Sequence, residues 1–425
     1  MALIFRPTSF ARSGPFWSGL DLALVAALGA LLFVRVLTDD RSASDSRHSG
    51  SLNLSAVIAL LFISAAVWLL VRERHGAVPA ALSATWVGIW TLVAVKTNGA
   101  SSETLREGVR EISVLAIAVI VYNARRSFTV PVSARLVQFA GVIPAALAIY
   151  QLASQTGRDV AGNIRSNGTL AHPNSAAMFF AIAVTASLWL YLDDGRRPWD
   201  ALFAALFAVA LIATFSIDGL VSFVVMMLVF GALRSGTIVA KSVPFAVAGA
   251  VVIIFFATPL GSKRVASEAT TSLSAADRGE TTSTLNTRLY RWKTLIPEWE
   301  RSPVLGRGLG TTTTTEGTPS NRLNGLLPHN EYIRYLVETG VLGTLLLLGG
   351  LLSLVRAIVR KRDSISGLHN VAPLVVTLVA GCLINALADN TLLNSPTCYA
   401  AALIVAAVLA APPSPLHKPS IAQVA

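Results

Sequence analysis

Long apolar runs separated by short polar connections dominate the chain. About 20 apolar residues cross a bilayer as an α-helix, and twelve runs approach this length. They predict helices over Trp17–Leu37, Leu52–Val71, Ala77–Val95, Val109–Tyr122, Ala134–Leu152, Pro173–Leu192, Trp199–Phe215, Gly219–Leu233, Val243–Leu260, Glu331–Val355, Val371–Ala388 and Ser395–Ala411. We therefore predict an all-α polytopic membrane protein with about 12 transmembrane helices.

Four of these runs leave alternatives. Val109–Tyr122 is short for a spanning helix, and the two runs that meet at Ser216–Gly219 could form one long helix, which would lower the count to eleven. The first run is flanked by Arg6 and Arg12 but lacks a small-residue cleavage site after a short core. We therefore expect it to be a retained helix and not a signal peptide.

The longest polar interruption follows the ninth run. It divides the chain into an N-terminal membrane bundle of nine spans (1–260), an extracytoplasmic loop (261–330), a C-terminal membrane bundle of three spans (331–411) and a cytoplasmic tail (412–425).

The extracytoplasmic loop has two parts of different character. Ser267–Thr287 is rich in Ser, Thr and Ala and shows no periodicity, so we expect it to be flexible. In Arg288–Arg301, apolar residues recur at helical spacing with charged residues on the other face. This pattern predicts a short amphipathic helix at the outer membrane surface, interrupted near Pro297.

Composition agrees with a membrane protein and excludes several other classes. Hydrophobic residues make up 53% of the chain and charged residues only 13%, whereas soluble domains contain about 25% charged residues. A soluble enzyme, a disordered scaffold and a disulfide-rich secreted module are therefore excluded. Cys382 and Cys398 lie in apolar runs without metal-ligand or redox spacing, and we interpret them as small core residues.

The distribution of Lys and Arg predicts the orientation. With both termini inside, the cytoplasmic segments contain sixteen Lys and Arg and the short outer connections eight, as the positive-inside rule requires. The formal net charge of +11 is then explained by basic cytoplasmic loops and anionic ligands, and we expect no nucleic-acid partner.

Arginines at the outer side are the first candidates for chemistry. Guanidinium groups bind phosphate oxygens in a bidentate manner and stay charged at any working pH, so a cluster at the lipid boundary suits a phosphorylated lipid. The candidates are Arg106, Arg110, Arg165, Arg288 and Arg291. Alternatively, these side chains extend to the membrane interface or pair with Glu103, Glu107 and Glu111.

Two histidines lie where outer connections enter membrane runs. His329 ends the long loop, and a histidine can accept a proton near neutral pH. His172 precedes Pro173 and Asn174, which begin a helix whose N-terminus can attract an anion. The glycines in Gly306–Gly310 look superficially like a phosphate cradle, but no Lys-Ser/Thr follows and no buried strand precedes them, so a nucleotide loop is not expected.

Three motifs in this order resemble the O-antigen ligase and polymerase superfamily. The first contains Arg165, Gly168-Thr169 and His172-Pro173-Asn174. The second contains Arg288, Trp292, Pro303, Gly306, Gly308 and Gly310. The third contains His329-Asn330-Glu331-Tyr332, Glu338-Thr-Gly340 and Gly343. Together they cover roughly residues 100–345, and the single large outer loop and the twelve-span layout also agree.

The resemblance implies a glycosyltransferase of the bacterial cytoplasmic membrane. Such an enzyme moves a glycan from undecaprenyl diphosphate to a glycan, lipid or wall-polymer acceptor at the outer face, without nucleotide-sugar donor, cofactor or metal. Arg288 matches the loop arginine that binds the donor diphosphate, and His329 matches the loop-end histidine that acts on the acceptor hydroxyl. Ligase and polymerase activities are not separated by the sequence. A transporter or flippase of lipid-linked glycans is the alternative from another class, but it would place charges at mid-depth.

One motif departs from the family pattern. Members commonly have Thr-x-Ser-Arg-Gly between two central spans, whereas this chain has Thr214-Phe-Ser216-Ile217-Asp218-Gly219. Either another arginine, such as Arg165 or Arg110, replaces the missing one, or donor and acceptor differ from the usual ones. Asp218 is then one of the candidates for shaping the loop or binding the acceptor, which are His172, Asn174, Asp218, Asn330 and Glu331.

Overall fold

The architecture is a bundle of α-helices with one short β-hairpin. A computed structural model describes residues 19–39, 54–73, 77–99, 102–160, 163–269, 284–312, 327–360 and 369–411. The described helices are α1 Gly19–Leu37, α2 Leu54–Glu73, α3 Ala77–Asn98, α4 Ser102–Asn123, α5 Val130–Ser154, α6 Pro173–Asp193, α7 Pro198–Ala213, α8 Ile217–Leu233, α9 Ile238–Ala257, α10 Pro259–Ala269, α11 Thr284–Glu300, α12 Glu331–Arg360, α13 Val371–Asn385 and α14 Ser395–Ala410. Strands β1 (Arg158–Val160) and β2 (Asn163–Arg165) pair antiparallel.

A helix lies at each of the twelve apolar runs, so an all-α polytopic membrane fold is confirmed. By length and composition, six of the described helices can cross a membrane: α2, α3, α5, α6, α9 and α12. Five more are apolar but shorter: α1, α7, α8, α13 and α14. Twelve membrane crossings remain a prediction, as does the division of the chain into four segments. Arg6, Arg12 and the tail 412–425 lie outside the described residues.

The junction at Ser216 contains a break between two helices. α7 ends at Ala213 and α8 begins at Ile217. The Ser216 hydroxyl accepts a hydrogen bond from the Gly219 amide at 3.1 Å, which satisfies a donor at the start of α8. A side chain at position 219 would overlap the Cβ atom of Ala177, so Gly219 lets α8 begin in very close contact with α6.

Helix ends meet at two opposite poles of the bundle. At the first pole, Arg135 near the start of α5 pairs with Asp194 at the end of α6 (2.9 Å), and Arg234 at the end of α8 pairs with Asp193 (2.9 Å). This is the pole that the Lys and Arg count assigns to the cytoplasm. The ends of α5 and α7 and the starts of α6, α8 and α14 lie at the second pole, which we call the site pole.

Helix α6 forms the centre of the bundle. Almost all its residues from Pro173 to Leu190 are buried, although the sequence alone does not distinguish this span from those facing lipid. It packs against α5, α7, α8, α13 and α14. The first turn of α6 therefore lies at the middle of the site pole.

The segment predicted to be the extracytoplasmic loop contains two helices among its described residues. The helix predicted at Arg288–Arg301 is α11, which begins four residues earlier at Thr284 and continues through Pro297. It packs on α12 through Leu295 and Val337. Of the segment expected to be flexible, residues 267–269 and 284–287 are helical, and 270–283 lie outside the described residues.

The glycines of Gly306–Gly310 dock the loop onto two helices. Gly340 has φ 63° and interrupts the helical backbone of α12. The Arg307 and Gly308 amides donate to the carbonyls of Val337 (2.8 Å) and Glu338 (2.7 Å) at this break. A side chain at Gly308 would overlap the backbone of Ala94 in α3. These glycines thus permit close contact between backbones, so the Gly306–Gly310 segment serves to pack the loop against α3 and α12.

Candidate functional site

Arg165 lies at the end of β2 and points toward the starts of α6 and α8. Its Nε atom donates to the Thr214 carbonyl (2.8 Å), and its Nη2 atom donates to Asn174 Oδ1 (2.8 Å). The side chain is buried. Burial lowers the pKa of Arg165 to about 10, with a further contribution from the positive charge of Arg264, so the group is still cationic at neutral pH.

The connection between β2 and α6 is fixed by polar contacts from other helices. Gln151 Oε1 in α5 accepts from the amides of Asn167 (3.0 Å) and Gly168 (2.8 Å). Asp39, which follows α1, accepts from the Ala171 amide (2.9 Å). These contacts hold the chain in a defined path into α6. On this path Gly168 has φ 60°, a conformation that glycine adopts without steric cost.

His172 caps α6 and is not charged at neutral pH. Its Nδ1 atom accepts from the Asn174 amide at 3.2 Å. Burial lowers the pKa of His172 to about 3. The neutral ring therefore serves as a hydrogen-bond acceptor at this helix terminus.

Asp218 connects Arg288 to the first turn of α6. Its two carboxylate oxygens accept from both Nη atoms of Arg288, one of them at 3.1 Å, in a bidentate ion pair. Asn174 Nδ2 donates to Asp218 Oδ2 at 3.2 Å. Because Asn174 also accepts from Arg165, the two arginines are linked by one asparagine and one aspartate. Asp218 raises the pKa of Arg288, although burial opposes this shift.

His329 is presented on the segment that joins the loop to α12. Arg291 and Trp292 of α11 donate to the carbonyls of Leu327 (2.9 Å) and Pro328 (2.6 Å). His329 itself has φ 47°, which is rare for a residue with a side chain. Its side chain is 25% exposed, in contrast to the buried Arg165, so His329 is accessible from outside the bundle.

Asp389 fixes the orientation of the His329 ring. Its Oδ1 atom lies 3.0 Å from His329 Nδ1. Burial acts to raise the pKa of Asp389, but the hydrogen bond with His329 and the positive charge of Arg288 bring it below its ordinary value. The carboxylate is thus ionised at neutral pH. In the tautomer that carries its proton on Nδ1, the His329 ring donates to Asp389, and Nε2 is left as a proton acceptor.

The structure brings Arg165, Arg288 and His329 together at the site pole. The rings of His172 and His329 lie 6.3 Å apart between centroids. Asp389 interacts electrostatically with Arg288 and Arg165, and Arg264 of α10 interacts with Arg165. Cations, carboxylates and an accessible imidazole therefore share one region.

Two of the candidate arginines lie elsewhere. Arg110 pairs with Glu107 and Glu111 of its own helix, which was the alternative left open by the sequence. Arg334, fully buried, joins the same group of charges. Arg106 lies one turn before Arg110 on α4 and is half-buried. A role for either candidate in donor binding remains a prediction without support from these contacts.

The other candidates support the segment around His329. Arg291 holds the Leu327 carbonyl, as described above. Asn330 caps α12 by accepting from the Ile333 amide (3.1 Å) and also donates to the Leu387 carbonyl (3.0 Å). Glu331 accepts from Arg334 and from the Leu392 amide (2.7 Å). These contacts join the start of α12 to the segment that carries Asp389.

Two charged residues of this region were missed by sequence reasoning. Asp389 lies in the connection between the last two apolar runs, and its position at the end of an apolar run was an available signal. Arg264 pairs with Glu268 (2.8 Å) and donates to Thr284 (2.5 Å), which links α10 to α11. No spacing in the sequence indicates that Arg264 approaches Arg165.

Among the described residues, no group of three or more His, Cys, Asp or Glu side chains is placed to hold a metal ion.

The fold and this cluster define an all-α polytopic membrane protein with a charged site at one end of its helices. Residues 202–348, about a third of the chain, match the family model described as O-antigen ligase. This match confirms the family resemblance and contains Asp218, Arg288 and His329. No curated protein sequence matches the chain significantly.

Proposed function

We propose that the protein is a glycosyltransferase that moves an oligosaccharide or polysaccharide from undecaprenyl diphosphate to an acceptor at the outer face of the cytoplasmic membrane. The observation that carries the proposal is the position of Arg165, Arg288 and His329 at one pole of the bundle. The family match supports the same class of activity. The acceptor decides between ligase and polymerase, and an O-antigen ligase-like reaction is the primary proposal.

The proposed reaction is a direct displacement at the anomeric carbon. The acceptor hydroxyl forms a new C–O bond as the bond to the diphosphate oxygen breaks, and the lipid diphosphate leaves. Arg288 and Arg165 stabilise the negative charge that develops on the leaving group. His329 Nε2 takes the proton of the hydroxyl, and the Asp389 carboxylate stabilises the imidazolium that forms. The anomeric configuration is inverted.

The depth of the buried charges favours an enzyme over a transporter. Helix α12 has 30 residues, longer than the roughly 20 that a bilayer requires. Arg334 and Glu338 precede the break at Gly340, whereas the part after the break exposes leucines such as Leu345 and Leu352. The charges therefore lie in the part of α12 that extends beyond the lipid-facing leucines. A transporter would instead need its charged residues near the middle of the membrane.

A reconstituted transfer assay tests the proposal. The purified protein in proteoliposomes is incubated with an undecaprenyl-diphosphate-linked glycan, with and without glycan acceptors, and products are identified by mass spectrometry. We expect lengthened or transferred glycan together with released undecaprenyl diphosphate. Arg288→Lys should lower the rate about ten- to a hundredfold, because lysine keeps the charge but loses the bidentate geometry.

Arg301→Lys is the matched control for that variant, since Arg301 directly follows α11 and is 66% exposed. Wild-type protein that yields neither product with any acceptor would contradict the proposed function. Equal rates for Arg288→Lys and the control would remove bidentate diphosphate binding from the mechanism.

Asp389→Asn should lower turnover about ten- to a hundredfold, less than loss of the histidine itself. Asparagine can still accept a hydrogen bond from Nδ1, but it no longer stabilises the imidazolium by charge. Because the protonated ring becomes less favourable, the acidic limb of the pH–rate profile should move to lower pH. The measurement is the rate of transfer between pH 5 and 8, with KM for the acceptor unchanged.

The control is Asp159→Asn, which removes an exposed carboxylate on β1 and should leave the profile in place. A lower rate with an unshifted acidic limb would show that Asp389 only supports the local structure.

A further inference from the structure

Asp218 occupies the position on Arg288 that a phosphate group would take. A carboxylate and a phosphate both bind a guanidinium through two parallel hydrogen bonds, and Asp218 makes this bidentate contact with the two Nη atoms of Arg288. The Arg288 side chain is 9% exposed, and its Nε atom is buried without a hydrogen-bond partner. The guanidinium is thus only partly satisfied by Asp218.

The surroundings of the Asp218 carboxylate favour an anion. Asp218 lies in the first turn of α8, and Asn174, which donates to it, lies in the first turn of α6. Helix N-termini carry partial positive charge and unpaired amides that attract negative groups. Arg165 reaches the same asparagine from the other side. An anion position between two helix starts and two arginines is therefore already filled by a side chain of the protein.

The sequence around Asp218 departs from the pattern of the family that the chain resembles. Where the family pattern has Ser-Arg-Gly, this chain has Ser216-Ile217-Asp218-Gly219. The arginine of that pattern is missing and a carboxylate stands one residue on, so the local charge is two units lower than in the pattern. The site must therefore bind a diphosphate against an internal competitor for Arg288.

We propose that Asp218 is a specificity-determining residue that competes with the diphosphate for Arg288 and promotes release of the lipid diphosphate product. This inference rests on the proposed function. The donor diphosphate is a diester with one charge on each phosphate. Cleavage of the glycosidic bond leaves a terminal phosphate that gains most of a further negative charge near neutral pH. Displacing Asp218 from Arg288 costs the same for either ligand, but the Asp218 carboxylate also repels the bound phosphates, and this repulsion grows with their charge. Binding of the more highly charged product is therefore weakened more than binding of the donor.

The test measures binding and product inhibition in the full-length protein in nanodiscs. Inorganic pyrophosphate binding is followed by calorimetry, and inhibition of transfer by undecaprenyl diphosphate gives a Ki. We expect Asp218→Asn to bind pyrophosphate at least about tenfold more tightly than wild type, because one charge-assisted competitor is removed while the hydrogen bond with Asn174 can persist. The Ki for undecaprenyl diphosphate should fall more than the KM for the donor.

Two further variants locate the effect. Asp159→Asn removes an exposed carboxylate outside the site and should change neither pyrophosphate binding nor Ki. Asp218→Asn combined with Arg288→Lys should lose the gain in affinity, since the competition acts through Arg288. A thermal melt of each variant verifies that it is folded.

The outcomes separate this inference from the proposed function. Equal or weaker pyrophosphate binding by folded Asp218→Asn overturns the inference and makes Asp218 an orienting partner of Arg288. Tighter pyrophosphate binding by Asp218→Asn, together with no glycan transfer by wild type, supports competition by Asp218 for Arg288 and contradicts the proposed transferase activity. Absence of pyrophosphate binding by both proteins overturns the proposed competition by Asp218. Glycan transfer in the same preparation would still support the proposed transferase activity.

Discussion

His329→Ala should lower glycan transfer by about 10²–10⁴-fold, the usual contribution of general acid–base catalysis. The variant removes Nε2, the only ring nitrogen of His329 that its contact with Asp389 leaves open to the acceptor. The donor contacts of Arg165 and Arg288 stay in place, so binding of pyrophosphate should change little. Initial rates of transfer in proteoliposomes and pyrophosphate affinity are measured in parallel.

His369→Ala is the matched control for this substitution. His369 is exposed and lies just before α13, at the pole opposite the site. It should retain wild-type turnover. Near-normal transfer by His329→Ala would remove the histidine from the mechanism, and loss of pyrophosphate binding in that variant would assign His329 to the donor site instead.

Arg334→Met should lower the free energy of unfolding by about 3–5 kcal/mol, the range for removing one partner of a buried ion pair. Arg334 is fully buried and pairs with Glu331 (2.6 Å), Glu107 (2.7 Å) and Glu338 (3.2 Å). Methionine fills similar space but leaves these carboxylates without their shared cation. Thermal unfolding in detergent, followed by intrinsic fluorescence, measures the change.

Arg301→Met is the comparison for this variant, because Arg301 also pairs with a glutamate but is 66% exposed. An exposed pair contributes about 1 kcal/mol or less. Equal melting temperatures for Arg334→Met and Arg301→Met would show that the buried carboxylates are neutralised in another way, for instance by protonation.

The helices followed from the apolar pattern, but their ends depended on distant partners. Helix α4 was predicted to begin at Val109 because the residues before it are charged, whereas it begins at Ser102. Glu107 is buried there because Arg334, 227 positions later in the chain, donates to it. A partner at that distance leaves no local pattern, so the charged turns of α4 resemble a polar connection.

The site was predictable where one local motif carried its residues. Arg288 and His329 were found through their motifs, and Arg165 through its place beside a membrane run. The pairing of Asp218 with Arg288 was not predicted, because it depends on how closely Gly219 brings α8 to α6. Asp389 was overlooked because a single carboxylate in a short connection has many structural explanations.

The contacts at the site pole also bear on how the protein can be divided. The segment that matches the family supplies Asp218, Arg288 and His329, while Arg165 and Asn174 precede it and Asp389 follows it. Chimeras that exchange residues 202–348 between relatives would therefore separate His329 from Asp389 and Asp218 from Asn174. Grafting experiments aimed at acceptor choice should move α5–α6 and α13–α14 together with the matched segment.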